Sequence, residues 1–112
     1  MKQERINKEI ERLHNIFGAI PERKRHVIEG LIRRSAYMRV TLEDYEADLD
    51  EGGYVELFSQ SDKQEPYERE RPVARLYNTM IRNYQNLMKQ LSDLLPDEVK
   101  IDIKDEISEF LK

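Results

Sequence analysis

Apolar residues recur at steps of three and four along three stretches of this chain, and the spacing breaks between them. From Arg71 to Pro96, the residues Val73, Leu76, Met80, Tyr84, Leu87, Leu91 and Leu94 share one face. This predicts a helix over residues 72–95, about 24 residues and roughly 36 Å long. Pro72 suits its first turn, where a missing N–H costs nothing. Pro96 ends it by disfavouring helical geometry at the residue before. Two successive steps of four between Leu76 and Tyr84 make the seam slip, and Tyr77, Met88 and Leu95 widen it. Over residues 22–51, Ile28, Leu31, Ser35, Met38, Leu42, Tyr45 and Leu49 alternate steps of three and four. That seven-residue repeat predicts a second helix with left-handed, coiled-coil-like packing, flanked by Val27, Ile32 and Ala36. Gly30 lies off the seam, either admitting a close neighbour or simply tolerated at a cost of roughly 1 kcal/mol. Gly52-Gly53 closes this helix. Over residues 3–17, Ile6, Ile10, Leu13 and Phe17 predict a first helix, with Gly18 as its cap and Pro21 in the first turn of the next.

The segments between helices read differently. Residues 54–70 form a connector longer than compact domains usually leave empty. Tyr54, Val55, Leu57 and Phe58 are therefore expected to pack back on the helices, as an extended segment or a short helical turn. The polar SQSDKQEP part is expected to be mobile. After Pro96, Val99, Ile101 and Ile103 alternate with charges, ahead of a short helix over residues 105–111. The expected fold is all-α: a long antiparallel helical hairpin with an additional N-terminal helix and a C-terminal tail. Residues 1–96 would form one helical domain, and residues 97–112 the tail. The seam residues Ile28, Leu31, Met38, Leu42, Tyr45, Leu49, Leu76, Met80, Tyr84, Leu87 and Leu91 would serve as core or as subunit interface. An isolated stripe needs such a partner, because ordering the backbone costs about 1–2 kcal/mol per residue while each buried Leu or Met returns about 1.5–3 kcal/mol.

Composition narrows the function. The chain has 112 residues, enough for one domain, with 38% charged and 38% hydrophobic residues. A narrow core leaves apolar seams for other subunits. No cysteine is present, which excludes disulfides, a thiol nucleophile and zinc-thiolate sites. No apolar run approaches the ~20 residues of a membrane span, and MKQERINKEIERL lacks a signal h-region, so a cytoplasmic protein is expected. The net charge of −4 conceals an asymmetry. Residues 1–40 carry ten Lys/Arg against five Asp/Glu, and residues 41–70 carry two against eleven. A basic third can bind a polyanion even in an acidic chain. Arg23, Lys24, Arg25, Arg33, Arg34 and Arg39 are the candidates for phosphate contact, against a solvated face that pairs with Glu22 and Glu29. A recognition helix of the helix-turn-helix type is missing.

Other constellations carry less chemistry. DLDEGGYVELFS places Asp48 and Asp50 at calcium-loop positions, but Gly52 and Ser59 stand where oxygen ligands are required. Glu43-x-x-Glu46, Glu65-x-x-Glu68 and Glu106-x-x-Glu109 have the spacing used by magnesium-dependent nucleotide pyrophosphatases, yet they do not fall on facing helices. Glu11-x-x-His14 is half of a di-iron ligand set without its other half, and His14 and His26 read as surface residues. Tyr37, Tyr45, Tyr54, Tyr67, Tyr77 and Tyr84 sit on or beside the seams, so core or interface is expected of them rather than base stacking. No nucleophile lies with a base. The expectation is a protein without catalysis, metal or cofactor.

EPYERERPVARLYNTMIRNYQNLMKQLSDLLP, with LIRRSAYMRVTLEDYEADLDEGGYVELF before it, resembles short small-subunit terminase proteins of tailed phages. The resemblance spans roughly residues 20–96. Its most specific part is the proline-led helix with an early arginine and a Leu-Leu-Pro exit. It implies a non-enzymatic role in DNA packaging: a ring-forming homo-oligomer that engages packaging-site double-stranded DNA and recruits the large terminase subunit. Residues 28–49 and 73–95 would form the hairpin and ring interface, and the basic positions of residues 23–39 would face DNA. The tail, with Ile101, Ile103, Ile107, Phe110 and Leu111, would contact the large subunit. The chain departs from many family members in lacking a distinct N-terminal DNA-binding domain. The other class compatible with the residues is a helical assembly or interaction module that binds only protein.

Overall fold

The computed structural model describes residues 1–17 and 22–94, with the side chain of Arg23 excepted. The expected cap at Gly18, the prolines Pro21 and Pro96, and the tail of residues 97–112 lie outside the described residues. The described residues are mostly helical, with three α-helices and one two-stranded sheet among them. Helix α1 spans Lys2–Ile16, and α2 spans Arg25–Gly52 after a 3-10 turn at Glu22–Lys24. Strands β1 (Val55–Phe58) and β2 (Tyr67–Glu70) follow, and then α3 (Pro72–Asp93). No described helix is long and apolar enough to cross a membrane.

Each helix starts and stops for local reasons. Pro72 takes the first position of α3, after Arg71 in extended geometry. Gly53 closes α2 at φ 77°, its N–H donating to the Leu49 carbonyl, and that positive φ is strained for any residue with a Cβ. α1 ends on Phe17, whose N–H donates to the Leu13 carbonyl at 2.9 Å. A Cβ on Gly30 would meet nothing within 4 Å, so this glycine is tolerated and admits no close neighbour.

α2 is the central element, packed against α1 on one flank and α3 on another. Both neighbours run opposite to it. Arg5 near the start of α1 reaches Asp44, and His14 near its end reaches Glu29. Arg71 at the head of α3 meets Asp48, while Lys24 lies near the Leu94 carbonyl. The core joins Ile6, Ile10, Leu13 and Phe17 of α1 and its cap to Ile28, Ile32, Ala36, Met38, Val40 and Leu42 of α2 and to Tyr84, Met88 and Leu91 of α3. Leu49 is buried, and Leu31, Met80 and Leu87 pack partly buried against this core. Tyr45 is half-buried.

One expectation is narrowed, because Leu76 lies outside the core, and one gives way, that of the connector. Leu76 is 54% exposed. It lines an open depression with Arg69, Glu70, Pro72 and Arg75, beside β2. The stripe of α3 runs instead through Ala74, Tyr77, Ile81, Tyr84, Met88 and Leu91, which leaves Leu76 on the side toward the sheet. The connector also does not pack back on the helices. It folds as an antiparallel hairpin with register Val55↔Glu70 to Phe58↔Tyr67, and Tyr54, Val55 and Leu57 stay exposed. The hairpin closes on itself through Phe58. Tyr67 meets that ring edge-on, and Arg69 lies over it at 3.5 Å while also pairing with Glu56. The Ser59 hydroxyl ties the turn by donating toward the Ser61 and Gln64 carbonyls.

Candidate nucleic-acid interface

The six candidate cations separate once the helix is built. Successive α-helical residues turn by about 100°, so positions three, four and seven apart share a face. Gly30, Arg33, Arg34 and Tyr37 form such a face at the start of α2 and line one shallow depression. Tyr37 is exposed, so of the two placements expected of it the core is excluded, and the Lys2 ammonium from α1 lies 4.5 Å from its ring centre. Lys24 and Arg25 are exposed at the head of α2, and Arg25 points well away from the Arg33–Arg34 face by the same helical geometry. Of Arg23 only the backbone is described.

Arg39 is the exception. It faces inward, 3.6 Å from the buried Glu9 carboxylate, and its guanidinium also hydrogen-bonds Tyr84. Arg12 grips the same carboxylate with two bonds, at 2.6 and 2.7 Å. A buried carboxylate needs such partners, since desolvation without them is costly. Arg39 therefore serves the three-helix junction and is withdrawn from the phosphate-binding set.

Arg33 is exposed but tethered. Its Nε donates to Glu29 at 2.9 Å, and the other Glu29 oxygen lies 2.6 Å from Nε2 of His14. The His14 contact, with help from Arg33, holds the Glu29 carboxyl below its ordinary value. Phosphate oxygens arriving at Arg33 would compete with one exposed carboxylate, a weak competitor at the surface. The stripe can thus offer Lys2, Arg33 and Arg34 to a backbone of phosphates and the Tyr37 ring to a base or sugar. Lys2 could not be assigned to it from sequence, because only the packing of α1 on α2 brings residues 2 and 37 together.

The calcium-loop spacing dissolves in the structure. Asp48 and Asp50 lie inside α2, which runs on to Gly52, and the Asp48 carboxylate is bound by Arg71. No group of three or more metal-ligating side chains occurs among the described residues. Tyr54 and Tyr67 are exposed and lie outside the core, while Tyr84 is buried and Tyr77 donates to Glu46 at 2.9 Å. In comparison with known proteins, the chain matches no family model, no curated protein and no solved structure.

Proposed function

We propose that this chain is a non-enzymatic DNA-packaging adaptor of the small-terminase type. It would self-associate, engage double-stranded DNA and recruit or regulate a large terminase subunit. The observation that carries the reading is the exposed stripe of Arg33, Arg34 and Tyr37 with Lys2, and the resemblance over residues 20–96 adds to it. On this reading α2 and α3 act as one long antiparallel helical hairpin. The partly buried Leu31, Tyr45, Met80 and Leu87 then supply apolar surface for a ring of copies, and residues 97–112 address the large subunit. Phosphate contact by a handful of cations makes such binding steeply salt-dependent.

A second reading is a helical assembly module that binds only protein. It is favoured by the acidity of residues 41–70 and by the engagement of Arg33 with Glu29. Light scattering at several salt concentrations, with and without duplex DNA, separates the two. The adaptor reading expects an oligomer of one defined size that gains mass with DNA at low salt and loses it at high salt. A monomer or dimer indifferent to DNA sinks it in favour of the second reading.

A further inference from the structure

Both histidines of the chain stand near the head of α2, His14 in the last turn of α1 and His26 on α2 itself. His14 is the one with a built contact. Its Nε2 lies 2.6 Å from one Glu29 oxygen, and the other Glu29 oxygen accepts from Arg33 Nε at 2.9 Å. One carboxylate therefore joins an imidazole of α1 to a guanidinium of the cationic face. Helical spacing brings His26 to the same neighbourhood, since it lies four residues before Gly30 and seven before Arg33. His26 is exposed and meets no hydrogen-bond or ion-pair partner among the described residues.

Charge decides what this bridge does to an arriving anion. With His14 neutral, Arg33 and Glu29 cancel, and a phosphate oxygen at Arg33 meets a carboxylate beside it. With His14 charged, the three groups carry one net positive charge. Glu29 stays ionised in both states, because His14 and Arg33 hold its carboxyl below the ordinary value. Only that carboxylate separates imidazole from guanidinium, a span no longer than the Debye length of about 8 Å at physiological salt, so solvent ions screen the change only in part. Other charges surround the bridge without joining it. Glu11 stands one turn before His14 on α1, Glu22 and Lys24 belong to the 3-10 turn, and Arg25 lies one turn before Glu29 on α2. The end of α3 reaches Lys24 through the Leu94 carbonyl, with Asp93 beside it. Side chains of these types keep their charge between about pH 7.5 and about pH 5.5, the range in which histidine titrates.

We propose that Glu29 is a built-in competitor for phosphate at Arg33, and that protonation of His14 relieves it, so this face binds a phosphate backbone more tightly as pH falls. The inference rests on the reading of Lys2, Arg33, Arg34 and Tyr37 as a phosphate-binding face and adds its regulation. Linkage sets the sign: the charged imidazole favours the anion, and the anion favours the charged imidazole by the same factor. The groups are partly exposed, so that factor is about two- to fivefold per chain.

The test measures binding of a short DNA duplex and of a heparin fragment to the full chain, at about pH 7.5 and about pH 5.5 and one ionic strength. Heparin serves as a polyanion that is not DNA and whose sulfates stay ionised at both values. Affinity for each is expected to rise about two- to fivefold at the lower pH. His14→Gln, at an exposed position, is expected to lose most of that rise, whereas His26→Gln keeps it. Glu29→Gln is expected to bind at the higher pH as tightly as the parent does at the lower. A rise unchanged in His14→Gln, or abolished by His26→Gln alone, would overturn the proposal and leave the phosphate-binding face in place. Heparin binding that keeps its dependence on His14, without duplex binding at either pH, supports the gate and removes the DNA reading. Binding of neither polyanion overturns both.

Discussion

Thr41 is buried within α2, and its hydroxyl meets no hydrogen-bond partner among the described residues. A buried hydroxyl without a partner carries an uncompensated desolvation cost. Thr41→Val keeps the shape and removes the hydroxyl, so it is expected to raise stability by about 1 kcal/mol, read as a higher urea midpoint with an unchanged slope. A lower midpoint would show that the hydroxyl has a partner after all. The neighbouring Leu42 is fully buried, and Leu42→Ala should cost about 2–5 kcal/mol through lost transfer energy and a residual cavity. Leu76→Ala, on the exposed side of α3, should stay within about 0.5 kcal/mol. The same denaturation series tests all three, and equal losses at Leu42 and Leu76 would contradict the placement of Leu76. Glu29 adds a pH dependence. Its folded carboxyl is held below the ordinary 4.5, chiefly by His14. Its contribution is therefore complete above the unfolded value and is lost as pH falls through the depressed folded one. In His14→Gln, an NMR titration should find the Glu29 carboxyl at higher pH than in the parent. An unmoved titration would remove His14 as the cause.

Between α2 and α3 the fastening is polar at one end. The Arg71 guanidinium bonds the Asp48 carboxylate and the Gly53 carbonyl, and it lies where a Cβ on Gly52 would stand, at 2.6 Å. Further along α3, Tyr77 donates to Glu46, and burial together with that carboxylate pushes the phenol up to about 12. The neutral phenol is thus favoured by folding. Its contribution is complete below the ordinary tyrosine value of 10.0 and disappears as pH rises to about 12. Ultraviolet titration should show late tyrosinate absorbance near pH 12 that Tyr77→Phe lowers by one tyrosine, the buried Tyr84 being raised as well; an unchanged late step would place it on another tyrosine. The helices themselves were legible, because steps of three and four persist from Ile6 to Phe17, from Ile28 to Leu49 and from Val73 to Leu94. The hairpin was not. Its strands are four residues each, VELF and YERE, and the eight residues between them hold no Asn-Gly or Asp-Gly to announce a turn. Apolar residues in a connector suggested packing on the helices, whereas Phe58 is covered by Tyr67 and Arg69 from the opposite strand. Leu76 falls outside the core because two apolar faces compete along α3: the one through Leu76 needs two successive steps of four to reach Tyr84, whereas Ala74, Tyr77, Ile81 and Tyr84 alternate steps of three and four and are the ones that pack.

At the scale of the whole molecule, the extents of 63 × 27 × 21 Å and a radius of gyration of 18.0 Å exceed the roughly 13 Å of a compact chain of this length. An elongated molecule has a thin core, and here part of it is ionic: Glu9 and Arg12 of α1 meet Arg39 of α2 beside Tyr84 of α3. Breaking a buried pair by removing one partner is costly because a charge is left behind. Arg39 and Arg33 are equivalent cations in the sequence, yet they belong to different systems, and DNA binding separates them. Each phosphate contact contributes about 0.9 to the slope of log affinity against log salt for duplex DNA. On the adaptor reading, Arg33→Gln with Arg34→Gln should flatten that slope by about two while leaving the unfolding midpoint nearly unchanged, since the Arg33–Glu29 pair is exposed and worth only about 0.3–0.5 kcal/mol. Arg39→Gln should do the opposite, lowering the midpoint and leaving the slope alone. A slope indifferent to Arg33 and Arg34, measured on a variant that still folds, would move the function of this chain from DNA to its protein-facing surfaces.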